Sequence, residues 1–195
     1  LRIAEPENEM ALQEILSEGS HSIRPLGSGH SFSPLVPSEG TMISLSRFNG
    51  VRSYDFQNRS ATIGAGTTLM QAARELNEIG LALPNLPDID VQTLAGSFST
   101  ATHGTGRELS ALHDYVTQFK IVTASGQIVK VNRDSNPDLF NAGKVSLGVL
   151  GIIIEYTLKL QAAFSLRRRV WLEPVDQLLE KSEELSRQYR NYEFF

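Results

Sequence analysis

Apolar residues recur along this chain in two rhythms, one near every third or fourth position and one at every second, which are the periods of helix and strand. Residues 6–19 predict a first helix. Met10, Ala11 and Ile15 fall at helical spacing, Pro6 suits a first turn and Gly19 a left-handed stop. A short strand over 22–26 follows, then a loop rich in Gly, Ser and Pro from 27 to 40. Strands are predicted over 41–46 and 51–56, and the turn residues Gln57, Asn58 and Arg59 lead into another over 61–64. Thr67 or Thr68 caps a second helix, whose stripe of Leu69, Ala72, Ala73, Leu76 and Ile79 ends at Gly80.

Residues 83–106 break both rhythms, with Pro84, Pro87 and Asp88 followed by a run of small and hydroxyl side chains. Strands over 115–124 and 127–131, joined by Ser125 and Gly126, predict a hairpin. A short helix over 136–142 has Pro137 near its start, and strands are expected over 151–160 and 167–172. A last helix over 174–190 carries Leu178, Leu179 and Leu185. Strands and helices mix without a regular βαβ period, so the fold class is α+β.

Composition narrows the function classes. At 41% hydrophobic and 21% charged residues over 195 positions, the chain is globular and long enough for a real core, which excludes disorder and fibrous repeats. The absence of cysteine excludes disulfides, thiolate catalysis and iron–sulfur clusters. With 18 Lys and Arg against 22 Asp and Glu, no broad nucleic-acid footprint exists, and Arg167, Arg168 and Arg169 read as a solvated strand face. The longest apolar run, 145–154, is interrupted by Ser146, Gly148 and Gly151 and is half the span of about 20 residues that a bilayer requires. A start at Leu1 and an end at Phe195 that reads as the middle of a strand suggest a fragment. Membrane association and oligomeric state are therefore left open, and a cytoplasmic setting is favoured.

Three stretches stand out for chemistry. In Arg24-Pro25-Leu26-Gly27-Ser28-Gly29-His30-Ser31-Phe32, two glycines one residue apart let the backbone approach a ligand and turn successive N–H groups into one concavity, as phosphate nests do; an ordinary strand-ending turn has the same composition. No third glycine opens a following helix, as a dinucleotide fingerprint requires, and no P-loop Lys follows. Residues 93–106 hold three Gly, two Ala and six hydroxyls, which suits a backbone wall against a flat or polyanionic ligand better than a packed core. Leu94, Ala95, Phe98 and Ala101 argue for partial burial over a flexible surface loop. In 147–154, Gly148 and Gly151 mark either close approach to a ligand or a buried strand entered through a glycine turn.

The Gly27-Ser28-Gly29-His30-Ser31 loop, Pro87-Asp88 with Thr93-Leu94-Ala95-Gly96, His103-Gly104-Thr105-Gly106, and Leu150-Gly151-Ile152-Ile153 occur in one order and spacing. Together they resemble the PCMH-type FAD-binding domain of the vanillyl-alcohol oxidase flavoprotein superfamily, nearest to the sugar-1,4-lactone oxidases (gulonolactone and arabinonolactone oxidases) and the alditol oxidases. The resemblance spans about residues 3–160. It implies two subdomains with mixed sheets and flanking helices, over about 1–66 and 67–160, and the start of a truncated substrate or cap domain over 161–195.

The resemblance also implies a site. Pro25, Leu26, Gly27, Ser28, Gly29, His30 and Ser31 fall on the pyrophosphate loop, and His30 on the position that bonds covalently to the flavin 8α-methyl carbon. Asp88, Thr93, Gly96, Ser97, Phe98 and Ser99 fall on the second cofactor segment, with Ile153 a backbone contact and His103 a structural or cofactor contact. No metal is implied. The implied activity is an FAD-dependent oxidoreductase that takes hydride from an alcohol carbon of a sugar lactone or polyol and passes electrons to O2, giving H2O2. A dehydrogenase with another acceptor, a non-catalytic flavin-binding module and a carbohydrate-binding domain are the alternatives. No catalytic residue is expected within these residues, because the base would come from a C-terminal substrate domain supplied in cis or as a second chain.

Overall fold

The computed structural model describes residues 2–18 and 22–195, so Gly19, the expected helix stop, lies outside the described residues. The chain opens with β1 (Arg2–Ala4). Next comes α1 (Glu9–Ser17), capped where the Asn8 side chain accepts the Ala11 N–H at 3.0 Å. Leu12 and Leu16, one turn apart, bury that helix, whereas Met10 from the expected stripe is 66% exposed. β2 (Ile23–Leu26) and β3 (Thr41–Ser44) complete a first, parallel sheet in the order β1-β3-β2. The long loop 27–40 lies between β2 and β3 and carries the Gly-x-Gly motif away from the sheet's end.

β4 (Val51–Asp55) and β5 (Ser60–Gly64) form a hairpin, and α2 (Leu69–Glu78) follows with Leu69, Ala72 and Leu76 buried as the stripe demands. Thr68 is its cap, accepting the Gln71 N–H at 3.1 Å, and Gly80 stops it at φ +76°. β6 (Leu81–Ala82) is followed by a short helix that sequence did not predict, α3 (Leu94–Ser99). A single 3-10 turn (Leu112–Tyr115) leads into β7 (Val116–Val122), β8 (Ile128–Asn132), α4 (Pro137–Lys144), β9 (Ile152–Lys159) and β10 (Gln161–Ala162). The second sheet is antiparallel in the order β4-β5-β9-β7-β8, and β6 pairs with β10. Parallel and antiparallel sheets with flanking helices make this an α+β fold.

The sheets divide between Ser44 and Val51. The hairpin over 51–64, expected in the first subdomain, belongs to the second sheet because β5 pairs along its length with β9. One continuous apolar core nevertheless joins the two, from Leu12 and Ile43 to Tyr156 and Leu158. The turn 64–67 is where they meet. The Ala65 amide donates to the Ile154 carbonyl and the Gly66 amide to the Phe48 carbonyl, both at 2.9 Å. Buried Thr67 donates its hydroxyl to the Gly64 carbonyl at 2.6 Å and accepts the Gly50 amide at 2.9 Å. A Cβ on Gly66 would overlap the Leu45 carbonyl oxygen, so glycine is required there.

The strand expected over 167–172 does not form. Its apolar residues, including Leu172 at 101% exposure, meet no sheet edge among the described residues, and a strand without a partner is not stable in water. α5 (Val175–Gln188) forms as expected but buries no residue. Among the described residues no helix is long and apolar enough to cross a membrane.

Two outcomes follow from this packing. Leu76→Ala, at a fully buried position of α2, lowers unfolding free energy by about 2–5 kcal/mol in urea titrations, while Leu179→Ala on exposed α5 changes it by less than about 0.5 kcal/mol. His113 in the 3-10 turn has a buried Nδ1 without a partner. Burial pushes its imidazole below the ordinary value of 6.5, Asp114 opposes this, and Lys144 adds to it. The unfolded chain then binds the extra proton near pH 6.5 and the folded chain only at lower pH, so stability falls on acidification through that window. His113→Gln flattens that fall, read as the denaturant midpoint between about pH 7 and 5.

Candidate functional site

A cleft of about 380 Å³ opens where β2 runs into the 27–40 loop, within the usual range for small-molecule sites. Its walls are residues 24–31, Ser44 to Ser46 at the end of β3, the 65–68 turn, the 92–100 segment that carries α3, and Leu147 with Gly148. Close backbone approach holds these walls together. A Cβ on Gly27 would lie 2.8 Å from the Thr93 hydroxyl and 3.7 Å from Gly96 Cα. Gly148, at φ +71°, presses against Pro25, where a Cβ would stand 2.5 Å from the ring Cγ. Gly29 also has positive φ, +72°, but a Cβ there would meet nothing within 4 Å, so its backbone lies bare.

Backbone hydrogen bonding divides the cleft into spent and unspent donors. At the start of α3 every amide is used internally. Leu94 donates to the Thr67 carbonyl at 2.8 Å, Ala95 to the Ala65 carbonyl at 3.0 Å, Gly96 to the Thr93 hydroxyl at 3.2 Å and Ser97 to the Thr93 carbonyl at 2.9 Å. In the loop, by contrast, none of the amides of residues 27–31 donates a hydrogen bond to any described residue. A run of unpaired N–H groups around a positive-φ glycine is the arrangement that receives anionic oxygens.

Electrostatics agree. Arg24 and His30 are the only ionisable side chains lining the cleft among the described residues, and no carboxylate does. The Arg24 guanidinium donates to the Leu35 carbonyl at 2.6 and 3.1 Å and to the Leu147 carbonyl at 3.3 Å, joining two rims while leaving its charge beside the nest. Ser28 donates its hydroxyl to the Val91 carbonyl at 2.7 Å and ties the loop to the opposite wall.

The sequence-derived site is gathered here in large part. Pro25, Leu26, Gly27, Ser28, Gly29, His30 and Ser31 line the cleft, with Thr93, Gly96, Ser97 and Ser99 facing them. Phe98 lies beneath it, fully buried and edge-on to Tyr156 with ring centroids 4.9 Å apart. Asp88 and His103 are exposed and outside the lining. Ile153 sits in the second sheet opposite Ile121, and Gly151 packs on the Val122 carbonyl, so the third glycine wall is Gly148. The 103–106 segment instead meets the C-terminal residues, where Asn191 donates to the Thr105 carbonyl at 2.8 Å. Ser44, Ala65 and Gln92 line the cleft without a sequence signal, because each is brought there by sheet pairing or a turn.

Comparison with known proteins accords with this geometry. The profile of a family described as the FAD binding domain matches residues 1–132. A Neurospora crassa protein assigned as a D-arabinono-1,4-lactone oxidase is 37% identical over 88% of this chain and 31% of its own length. The L-gulono-1,4-lactone dehydrogenase of Mycobacterium tuberculosis is 31% identical over 99% of this chain and 45% of its own. The chain thus spans less than half the length of these relatives. An alkyldihydroxyacetonephosphate synthase structure superposes with a TM-score of 0.73 at 23% identity, over 82% of this chain and 31% of the other, and shares the fold. The chain belongs to the FAD binding domain family, and FAD is its cofactor.

The close approach at Gly27 is testable. Gly27→Ala displaces the Thr93 hydroxyl from its cap on α3 and lowers stability by about 1 kcal/mol, the usual worth of such a cap, in urea unfolding; an unchanged midpoint would contradict the contact.

Proposed function

From membership in that family we infer that the cleft is the FAD site and that residues 27–31 supply its anion nest. The observation that carries this is the run of unpaired loop amides beside Arg24, in a cleft without a carboxylate. Thr93, Gly96, Ser97 and Ser99 would form the facing wall, and His30, exposed at the cleft's rim, would be the covalent attachment point. Asp88, Phe98, His103 and Ile153 belong to the same proposal with weaker support, since they lie outside the lining. FAD, when bound, supplies a two-electron acceptor for hydride leaving an alcohol carbon. Residues 27–31 neutralise its diphosphate charge through the backbone, and Arg24 adds a fixed positive charge.

The substrate class we propose is a sugar lactone or polyol, with O2 as the electron acceptor. The printed names of the relatives include both an oxidase and a dehydrogenase, which keeps a non-oxygen acceptor as the second reading. Residues 1–160 would be the cofactor domain and 161–195 the start of a substrate domain that supplies the base, and the setting would be cytoplasmic. Rapid reoxidation of the reduced full-length protein by O2, in stopped flow, supports the oxidase; slow reoxidation supports the second reading.

The chain purified with FAD stays yellow after acid precipitation, and His30→Ala keeps the fold but releases its flavin to the supernatant. Colour that washes out of the wild-type pellet removes His30 as the attachment point.

A further inference from the structure

Gln92 is the only carboxamide among the described residues that line the cleft. Its Oε1 is shut off from water and has no hydrogen-bond partner, and no other lining residue leaves a side-chain oxygen in that state. Its Nε2 makes no hydrogen bond to a described residue either. An acceptor that meets neither water nor protein costs stability, and the cost is recovered when a donor arrives. The terminal amide torsion is broad, so turning the group to face a ligand breaks no existing hydrogen bond.

The main chain fixes where this amide stands. The Asp90 carbonyl accepts the Met70 amide at 2.8 Å and the Gln92 carbonyl accepts the Leu69 amide at 2.9 Å, which laces 90–92 to the start of α2. Between them the Val91 carbonyl takes the Ser28 hydroxyl. The other acceptors of this wall are engaged as well. The Ala65 and Thr67 carbonyls receive the Ala95 and Leu94 amides, the Thr93 carbonyl receives the Ser97 amide, and the Gly96 carbonyl receives the Thr100 hydroxyl at 2.9 Å. The neighbours of Gln92 are spent on the fold, and its side chain is not.

Resting on the FAD reading of the cleft, we propose that Gln92 is a specificity-determining residue that pairs with a donor–acceptor edge of one of the cofactor's two ring systems. Each ring carries an N–H donor beside an acceptor: the amino group and ring nitrogen of adenine, and the imide N–H between the flavin carbonyls. A carboxamide matches such an edge, because it holds an acceptor and a donor side by side on one plane. The same pairing lets glutamine read adenine in a DNA groove. The unpaired amides of 27–31 and the Arg24 charge take any diphosphate of either orientation. Gln92 is the group on the facing wall that tells one end of the cofactor from the other.

The test uses the full-length protein with His30→Ala in every form, so that the flavin stays exchangeable, and Gln92→Met, which keeps the length of the side chain and drops the amide. In titrations read by flavin fluorescence, Gln92→Met weakens FAD binding by about fivefold to tenfold, the worth of one hydrogen bond. Two FAD analogues say which ring is read, one with unsubstituted purine in place of adenine and one methylated at the flavin imide nitrogen. The parent binds one of them about fivefold to tenfold more weakly than FAD, and Gln92→Met binds that analogue and FAD alike, because each change removes the same bond. Without cofactor, the thermal midpoint of Gln92→Met is equal to its parent's or higher, since an unpaired acceptor has gone; a lower midpoint means that the amide serves the fold, and overturns the proposal. FAD binding by Gln92→Met equal to the parent's, or an analogue penalty that survives in Gln92→Met for both rings, overturns it while leaving the cofactor reading intact. A parent that takes up no FAD overturns the cofactor reading itself.

Discussion

The four residues from Gly64 to Thr67 constrain the rest of the molecule. Their amides and the Thr67 hydroxyl reach the connection after β3 at Phe48, the bend at Gly50 and the second sheet at Ile154. Their carbonyls receive the first amides of α3. Gly64, Ala65 and Thr67 are buried, and buried polar groups must be paired, so the turn has one conformation and its neighbours have one place to stand. The cleft exists because the parts that wall it are tied to this turn from different directions.

Pairing also explains which donors face the cleft. A helix start is often the place where an anion is met, but α3 spends its first amides on Thr67, Ala65 and Thr93. The donors left over are those of the loop after β2, which lies outside any ladder and is held at its flanks by Arg24 and Ser28 side chains. Ligand-facing polarity here is what secondary structure leaves unused, placed by side-chain ties that keep it from collapsing onto itself.

Much of this was readable from residues alone where one local rule decided the outcome. The α2 stripe with Gly80 behind it, the hairpin at Ser125-Gly126 and the Gly27-x-Gly29 loop each carry their own signal. α3 was not readable. Glycine and serine disfavour helix, and what makes the segment helical is carbonyls of the 65–67 turn capturing its amides, a tertiary effect. The reverse happened at 167–172, where a predicted strand, Arg167-Arg168-Arg169 followed by Val170-Trp171-Leu172, found no edge to join among the described residues. At the site, Gly148 and Gly151 carried the same sequence signal, but only Gly148 faces Pro25 and the cleft; Gly151 serves the turn into β9. Composition marks where backbone comes close, not what it comes close to.

The position of β9 has a further meaning for how the molecule comes into being. The order β4-β5-β9-β7-β8 places the strand of this sheet that is synthesised last at its centre. As the chain emerges at about 5–20 residues per second, the β4–β5 and β7–β8 hairpins wait with open edges until residues 152–159 slide between them. Ile154 then delivers the carbonyl that Ala65 requires. A nascent chain therefore owns every residue of its glycine loop long before it owns a pocket, and its two unfilled edges are the surfaces that a chaperone would shield or that neighbouring ribosomal products would pair with by mistake.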